Sequence, residues 1–325
     1  MEKLAYVGKI LTLEDIPNSD NISQATVVCG SGGIWKGVVK KGELSVGSLA
    51  EVYMQDCILP KEERFAFLEK RKYRISICRF RGALSEVLII PLTVSADVGS
   101  DISDVIKVTK FEKNLDMKLQ GDAIGVFPNF IPRTDEDNFQ RVPEMVQALV
   151  GKPFYASIKC DGSSETIYWD PEMGEVIACS RGLKKKPDEN SIWYKTITKH
   201  NLKEVLKDSP YALQGELVGP KIQKNPMGLS DHEFRLFDVY NIGSREYLCP
   251  TNMISFAKQY NLITVPVIEC GNNTFDMDRN TMIAYAEKQT YSTGKPAECV
   301  VLRNLGNVNR HERISFKVIS PIYGN

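Results

Sequence analysis

The stretch that decides how this chain is read is Ser157-Ile158-Lys159-Cys160-Asp161-Gly162-Ser163-Ser164. An apolar run (Phe154, Tyr155, Ala156, Ile158) leads into it and reads as a strand, so Lys159 stands at the strand's end, just before a turn at Gly162. A lysine so placed, beside Asp161, is a candidate covalent nucleophile, because burial and neighbouring cations depress its pKa and free its lone pair. The plain alternative is an exposed lysine ahead of a turn. Three fixed residues recur by chance roughly once in 8,000 positions, so the rest of the chain has to decide between the two.

Composition narrows the field first. A chain of 325 residues suggests about two domains. The hydrophobic content of 42% and charged content of 25% are those of a soluble globular protein. Basic and acidic residues balance at 41 each, so any nucleic-acid surface must be a local patch. The eight cysteines (29, 57, 78, 160, 179, 249, 270, 299) form no CxxC pair, and there are three histidines. That argues against a zinc site and for reduced thiols in a cytoplasm-like compartment. No stretch approaches the ~18 apolar residues of a membrane span, and the N-terminus carries no apolar segment of a secretion signal. No membrane association and a monomer are expected.

The first hundred residues read as short strands at Leu4 to Leu13, Ile22 to Cys29, Ile34 to Val39, Leu49 to Met54, Arg74 to Phe80 and Val87 to Leu92, separated by glycine-bearing turns. That spacing predicts a small barrel, best matched by an OB-type barrel. Between Lys61 and Arg81 stand eight Lys/Arg against three Glu, with Phe65, Phe67, Tyr73 and Phe80 interleaved. Lys70, Arg71, Lys72, Arg74, Arg79 and Arg81 are therefore candidate nucleic-acid contacts. The competing reading is a solvated barrel face whose aromatics point inward.

The remainder, 106–325 after a first domain of 1–105, reads as α+β. Strands are expected at 154–159, 165–169, 175–180, 212–218, 234–240, 264–269, 297–303 and 314–319. Helices are expected at 142–149, 192–207, 251–260 and 278–290, the last two capped by Thr251 and Asp276. Lys184-Lys185-Lys186 reads as a solvated loop, with an RNA contact as the alternative.

Five later segments sharpen the reading of Lys159. They are Ser180-Arg181-Gly182, Gly215-Glu216-Leu217, Leu236-Phe237-Asp238, Ala297-Glu298-Cys299 and Ser315-Phe316-Lys317. Each alone is ordinary sheet sequence. In this order, with the tetrad at Lys159, they resemble the covalent nucleotidyltransferase superfamily of DNA ligases, RNA ligases and mRNA capping enzymes. A strand-rich module in front resembles the subgroup of ATP-dependent RNA ligases with an N-terminal OB domain, and Arg133-Thr134-Asp135-Glu136 with Gln140 is similar to the start of the ligase domain there. DNA ligases and capping enzymes carry an OB domain after the last lysine motif, whereas the eight residues after Lys317 leave no room for one, which favours an RNA ligase.

The resemblance implies an antiparallel-sheet-rich adenylyltransferase domain and a set of roles. Lys159 takes AMP from ATP as a lysyl adduct, passes it to the 5′-phosphate of RNA, and a 3′-hydroxyl then seals the strand, with nicked duplex as the expected substrate. Lys317 and Arg181 assist catalysis; Ser164, Arg181, Glu216, Phe237, Glu298 and Lys317 hold the nucleotide. Phe237 is the candidate to stack on adenine, with Leu236 or Tyr240 as alternatives. Asp161, Glu216 and Glu298 would hold Mg²⁺ or Mn²⁺, directly or through water. Two positions depart from the family pattern. Cys299 stands where a glycine is common, and one lysine, Lys317, stands where two are common, with Arg313 nearby as a possible substitute. A GTP-dependent capping-type guanylyltransferase and a non-catalytic OB-domain RNA-binding protein are the competing readings, and a Cys160 nucleophile is a minor one.

Overall fold

Alternation along Ile22–Cys29 shows how the first unit closes. Ser23, Ala25, Val27 and Cys29 are buried and the residues between them half-buried, the period of two that a strand shows when one face meets a core. In the computed structural model the described residues are 4–30, 33–111, 121–306, 308–309 and 313–323. They fall into two compact units, one of 4–111, Gln140–Pro143 and 321–323, the other of 121–139 and Glu144–Ser320.

The first unit is built on β1 (Ala5–Asp15), β2 (Ile22–Cys29), β3 (Gly33–Lys40), β4 (Leu49–Tyr53), β5 (Cys57–Ile58), β6 (Cys78–Phe80), β7 (Ala83–Ser85), β8 (Leu88–Pro91) and β9 (Thr109–Lys110). A five-stranded antiparallel sheet runs in the order β3-β2-β1-β4-β8. A register shift between Ile10 and Thr12 bends β1, the device by which one strand can curl around a small core. Val27, Trp35, Val52 and Ile89 fill that core. Gln140 belongs to this unit, its Nε2 donating to Glu86 Oε1 at 2.5 Å.

The expected strand from Arg74 to Phe80 is mostly absent. A 3₁₀ helix, Glu63–Arg71, comes before it, and left-handed Lys72 and Tyr73 (φ 52° and 60°) end that helix, so the ladder resumes only at Cys78. Phe65 and Leu68, three residues apart, turn into a second core with Tyr53, Ile75 and Ile102. The aromatics of this segment divide between core and surface. Phe65 is buried and Tyr73 packs on the core, whereas Phe67 and Phe80 are exposed.

The second unit holds two sheets. Its strands are β10 (Ala123–Val126), β11 (Asp137–Asn138), β12 (Pro153–Lys159), β13 (Ser163–Asp170), β14 (Glu175–Ser180), β15 (Leu183–Lys185), β16 (Tyr211–Val218), β17 (Glu233–Asn241), β18 (Glu246–Tyr247), β19 (Ile263–Thr264), β20 (Val267–Thr274), β21 (Cys299–Asn304), β22 (Val308–Asn309) and β23 (Ser315–Ile319). One sheet runs β10-β15-β14-β13-β16-β17-β18-β22, with β19 parallel to β17; the other runs β11-β23-β21-β12-β20. Pro143–Leu149 is helical, as expected for 142–149, and the helices that follow are α1 (Ile192–Lys199), α2 (Leu202–Leu206), α3 (Pro250–Gln259) and α4 (Arg279–Glu287). Trp193 and Ile197 on α1, Leu202 and Leu206 on α2 and Met253 on α3 pack with Ile167, Leu213 and Leu236 of the first sheet. Each such side chain contributes about 1.5–3 kcal/mol by leaving water.

Several local expectations are corrected. The single helix 192–207 is two, because Asn201 adopts φ 51° and breaks it. The caps lie elsewhere: Pro250 opens α3 after Cys249, its missing N–H costing nothing at that position, and Asp278 rather than Asp276 accepts from Thr281 N–H. Lys184 and Lys185 of the lysine run are strand, and the exposed Lys186 follows it. Lys184 Nζ lies 2.7 Å from Asp170 Oδ2, and Lys185 is buried 5.1 Å from the Trp193 ring. All eight cysteines are free thiols. No helix among the described residues is long and apolar enough to cross a membrane.

Candidate active site

Lys159 ends β12 opposite Cys299 of β21, so the neighbouring strand presents Glu298 at the same level. Lys159 Nζ lies 3.3 Å from Glu298 Oε2. The turn that follows is tight: the Gly162 N–H donates to Glu216 Oε1 at 3.1 Å and its carbonyl accepts from Gln223 Nε2 at 3.2 Å. A Cβ on Gly162 would lie 2.4 Å from the Leu217 carbonyl oxygen and 2.8 Å from Glu216 Cγ. Glycine is required here by the close approach of β16. Gly215, one residue before Glu216, meets the same limit against the Phe234 ring at 2.4 Å.

Three carboxylates surround the lysine. Burial alone would lower its pKa, but Glu298, Glu216 and Asp161, with the Cys299 thiol, together hold the ammonium well above its ordinary value. The resting lysine is therefore charged, and added positive charge near these carboxylates would help it lose its proton. Asp161 and Glu216 are buried. Carboxylates of this number and hardness suit Mg²⁺ or Mn²⁺, although no group of three or more His, Cys, Asp or Glu among the described residues is already gathered closely enough to hold an ion. Burial pushes the Cys160 thiol up to about 12, so it is not a competing nucleophile.

A small cleft opens beside Lys159, lined by Glu216, Phe237, Val265, Val301 and Arg303. Phe237 reaches it through a bulge. The register passes from Gln214↔Asp238 to Gly215↔Leu236, leaving Phe237 as the extra residue and re-aiming its ring. Leu236 and Tyr240, the alternatives for stacking, are buried in the core on either side. Lys317 stands on the same sheet face as Lys159, since Ser157, Val301 and Lys317 are directly paired across β12, β21 and β23. Ser164 Oγ lies 2.7 Å from Thr134 Oγ1, and Arg181 pairs with Asp135 at 3.0 Å, both largely exposed. The basic residues from Lys70 to Arg81 belong to the other unit. Arg74 pairs there with Asp56 and lies 3.6 Å from the Phe111 ring, while Arg81 donates to the Asn18 carbonyl.

Two features were not singled out from the sequence. The buried Tyr291 hydroxyl donates to the Lys159 carbonyl at 3.0 Å and accepts from the Glu298 N–H at 3.2 Å, joining the two motifs. Arg303 donates to Phe237 O, Asp238, Glu136 and Ser315, and so fixes the backbone that carries the cleft's aromatic ring. Burial would raise the Glu136 pKa, but Arg303 and Arg313 bring it below the ordinary value. Arg313 is engaged with Asp238 at 2.8 Å and lies 3.9 Å from the Tyr247 ring. It joins the ion-pair network beside the cleft. Partners 136 and 303, or 238 and 313, have no short-range signal to mark them.

An OB-fold domain followed by a ligase domain is the class that this fold and site define. The sequence model of the RNA ligase family matches residues 152–319, and that of an OB-fold domain matches 4–92. The chain belongs to the RNA ligase family. It is similar to a Naegleria gruberi RNA ligase with PPi, at 27% identity and a TM-score of 0.81 over 98% of this chain and 97% of that one. A mutant of that ligase with AMP and Mn is matched at 26% identity and TM-score 0.82, and another with ATP and Mn at 27% and 0.81, each over 98% of this chain and 97% of that chain. No curated protein matches.

Proposed function

We propose that this chain is an ATP-dependent RNA ligase that joins 3′-hydroxyl and 5′-phosphate ends through a Lys159-AMP adduct, acting at nicks in duplexes. The observation that carries it is the lysine itself, at a strand end 3.3 Å from Glu298 and beside a cleft containing Phe237. Neutral Lys159 attacks the α-phosphorus of ATP; an N–P bond forms and the bond to pyrophosphate breaks. The 5′-phosphate of the RNA displaces the lysine to give an RNA-adenylate. The 3′-hydroxyl then attacks that phosphate, AMP leaves, and a phosphodiester remains.

The chain's own groups divide the work. Glu298 and Glu216 orient the lysine and its turn, Phe237 stacks on adenine, and Lys317 and Arg181 neutralise developing phosphate charge, with Arg181 exchanging Asp135 for the nucleotide. Ser164 contributes a hydroxyl to the same nucleotide. Mg²⁺ or Mn²⁺ held by Asp161, Glu216 and Glu298 would supply the positive charge that lowers the lysine pKa and screens the phosphates. Residues 1–105 are assigned to RNA binding, through Lys70, Arg71, Lys72, Arg74, Arg79 and Arg81, and 106–325 to adenylyl transfer.

Intact-mass measurement after incubation with ATP and Mn²⁺ tests this. One AMP is expected on the wild-type protein and none on Lys159→Ala. No adduct on the wild type, or an adduct on the variant, overturns the reading, and a GMP adduct from GTP in its place would mark a capping-type enzyme.

A further inference from the structure

The first unit contains a groove of about 820 Å³ that the proposed chemistry does not use. Its floor is aliphatic, formed by Val38 on β3, Leu88 and Ile90 on β8, and Leu68 on the 3₁₀ helix. Two aromatic rings line it without entering a core, Phe67 at 63% exposure and Phe80 at 37%. Apolar surface gathered into a concave site of this kind marks a place where something binds.

Charge identifies the occupant. Arg71 lines the same groove, its guanidinium 5.6 Å from the Phe80 ring and its Nη1 3.5 Å from Cys78 Sγ. It has no carboxylate partner among the described residues, and neither do Lys70 and Lys72 on either side of it. Arg64 and Arg74 also line the groove, but Glu51, Glu62 and Asp56 balance them. An apolar slot with Arg71 at its edge, and the exposed Lys70 and Lys72 beside Arg71 in the chain, matches a ligand with flat rings on an anionic chain. A continuous duplex does not offer this, because its bases are stacked in pairs behind the phosphates.

We infer that this groove receives an unpaired nucleotide of single-stranded RNA, its base against Phe67 and Phe80 and its phosphates on Lys70, Arg71 and Lys72. That the strand is RNA rests on the ligase reading; the preference for an unpaired base does not. The unit then distinguishes open ends from continuous duplex by whether a base can leave the stack.

The test is fluorescence anisotropy on the full chain, with a fluorescein-labelled single-stranded RNA of about 12 nucleotides and its blunt duplex. Replacing both rings by alanine (Phe67→Ala with Phe80→Ala) is expected to weaken single-strand binding at least about tenfold while sparing the duplex. Phe80→Tyr, which keeps a ring, is expected to retain affinity. Arg71→Gln is expected to lower the slope of log affinity against log salt by about 0.7, one phosphate contact on a single strand. Single-strand affinity indifferent to both rings, or an equal loss on duplex, overturns the inference. AMP loading of the wild type, measured in the same preparations, separates the two readings. Loading with ring-independent RNA binding defeats the groove alone; ring-dependent binding without loading defeats the ligase reading alone.

Discussion

The Tyr291 hydroxyl donates to the backbone carbonyl of Lys159 at 3.0 Å, across 132 residues of chain. The same oxygen accepts from the Glu298 N–H, so one buried phenol sets the spacing between the lysine and the carboxylate that pairs with it. Tyr291→Phe keeps the ring and leaves one carbonyl and one amide without that partner, a cost of about 1–3 kcal/mol for a buried group. The expected result is AMP loading of Lys159 slowed roughly tenfold with little change in ATP affinity. Single-turnover kinetics at varied ATP separate the two. A change in ATP affinity with an unchanged loading rate would show that Tyr291 acts on the nucleotide instead.

Gly162→Ala introduces a methyl where the Leu217 carbonyl oxygen lies 2.4 Å away. Backbone oxygen cannot rotate aside, so the turn must shift and the Gly162 N–H must leave Glu216. Lys159 sits three residues earlier on the same turn. Loading is expected to fall by at least about a hundredfold, since displacements of about 1 Å cost that much at a reacting centre. Circular dichroism should show the fold retained.

The difference between these two residues shows what the sequence could and could not reveal. Gly162 stands inside the tetrad, where an apolar run, a lysine and a turn signal occupy adjacent positions, so local reading reaches it. The barrel strands were legible for the same reason, because β2 alternates without interruption from Ser23 to Cys29. Tyr291 is read by no neighbour; its partners are created by the pairing of β12 with β21. Phe237 lay between these cases. Its place in a strand was legible, but the bulge that turns it out of the core depends on how β16 and β17 align. Arg74 to Phe80 failed because left-handed Lys72 and Tyr73 override local strand preference.

Arg303 is the centre of a buried network, with Glu136 at 2.9 Å and Asp238 at 3.2 Å, and its Nη1 also holds the Phe237 carbonyl at 2.7 Å. Removing one partner of a buried pair leaves an uncompensated charge, at about 3–5 kcal/mol. Arg303→Ala is expected to lower the urea midpoint by that equivalent. Arg303→Lys restores charge without the fork, so stability should recover in part while the Michaelis constant for ATP stays raised, because Phe237 is no longer fixed. Full recovery of both by lysine would mean that charge alone matters.

Glu165 lies on β13 with no exposed surface, and neither carboxylate oxygen has a hydrogen-bond partner among the described residues. Burial raises its pKa well above the ordinary 4.5. Between 4.5 and that raised value the native state keeps a proton that the unfolded chain releases. Stability is therefore greatest below the unfolded pKa and falls as pH rises, by about 1.4 kcal/mol per pH unit within the window. Glu165→Gln removes this one titration while keeping the shape. Thermal melts of the two proteins from pH 5 to 8 are expected to move steadily in favour of the glutamine variant, with the gap closing at the acid end. A constant difference across that range would show that Glu165 is already ionised in the folded protein, held by a counter-charge rather than by its proton.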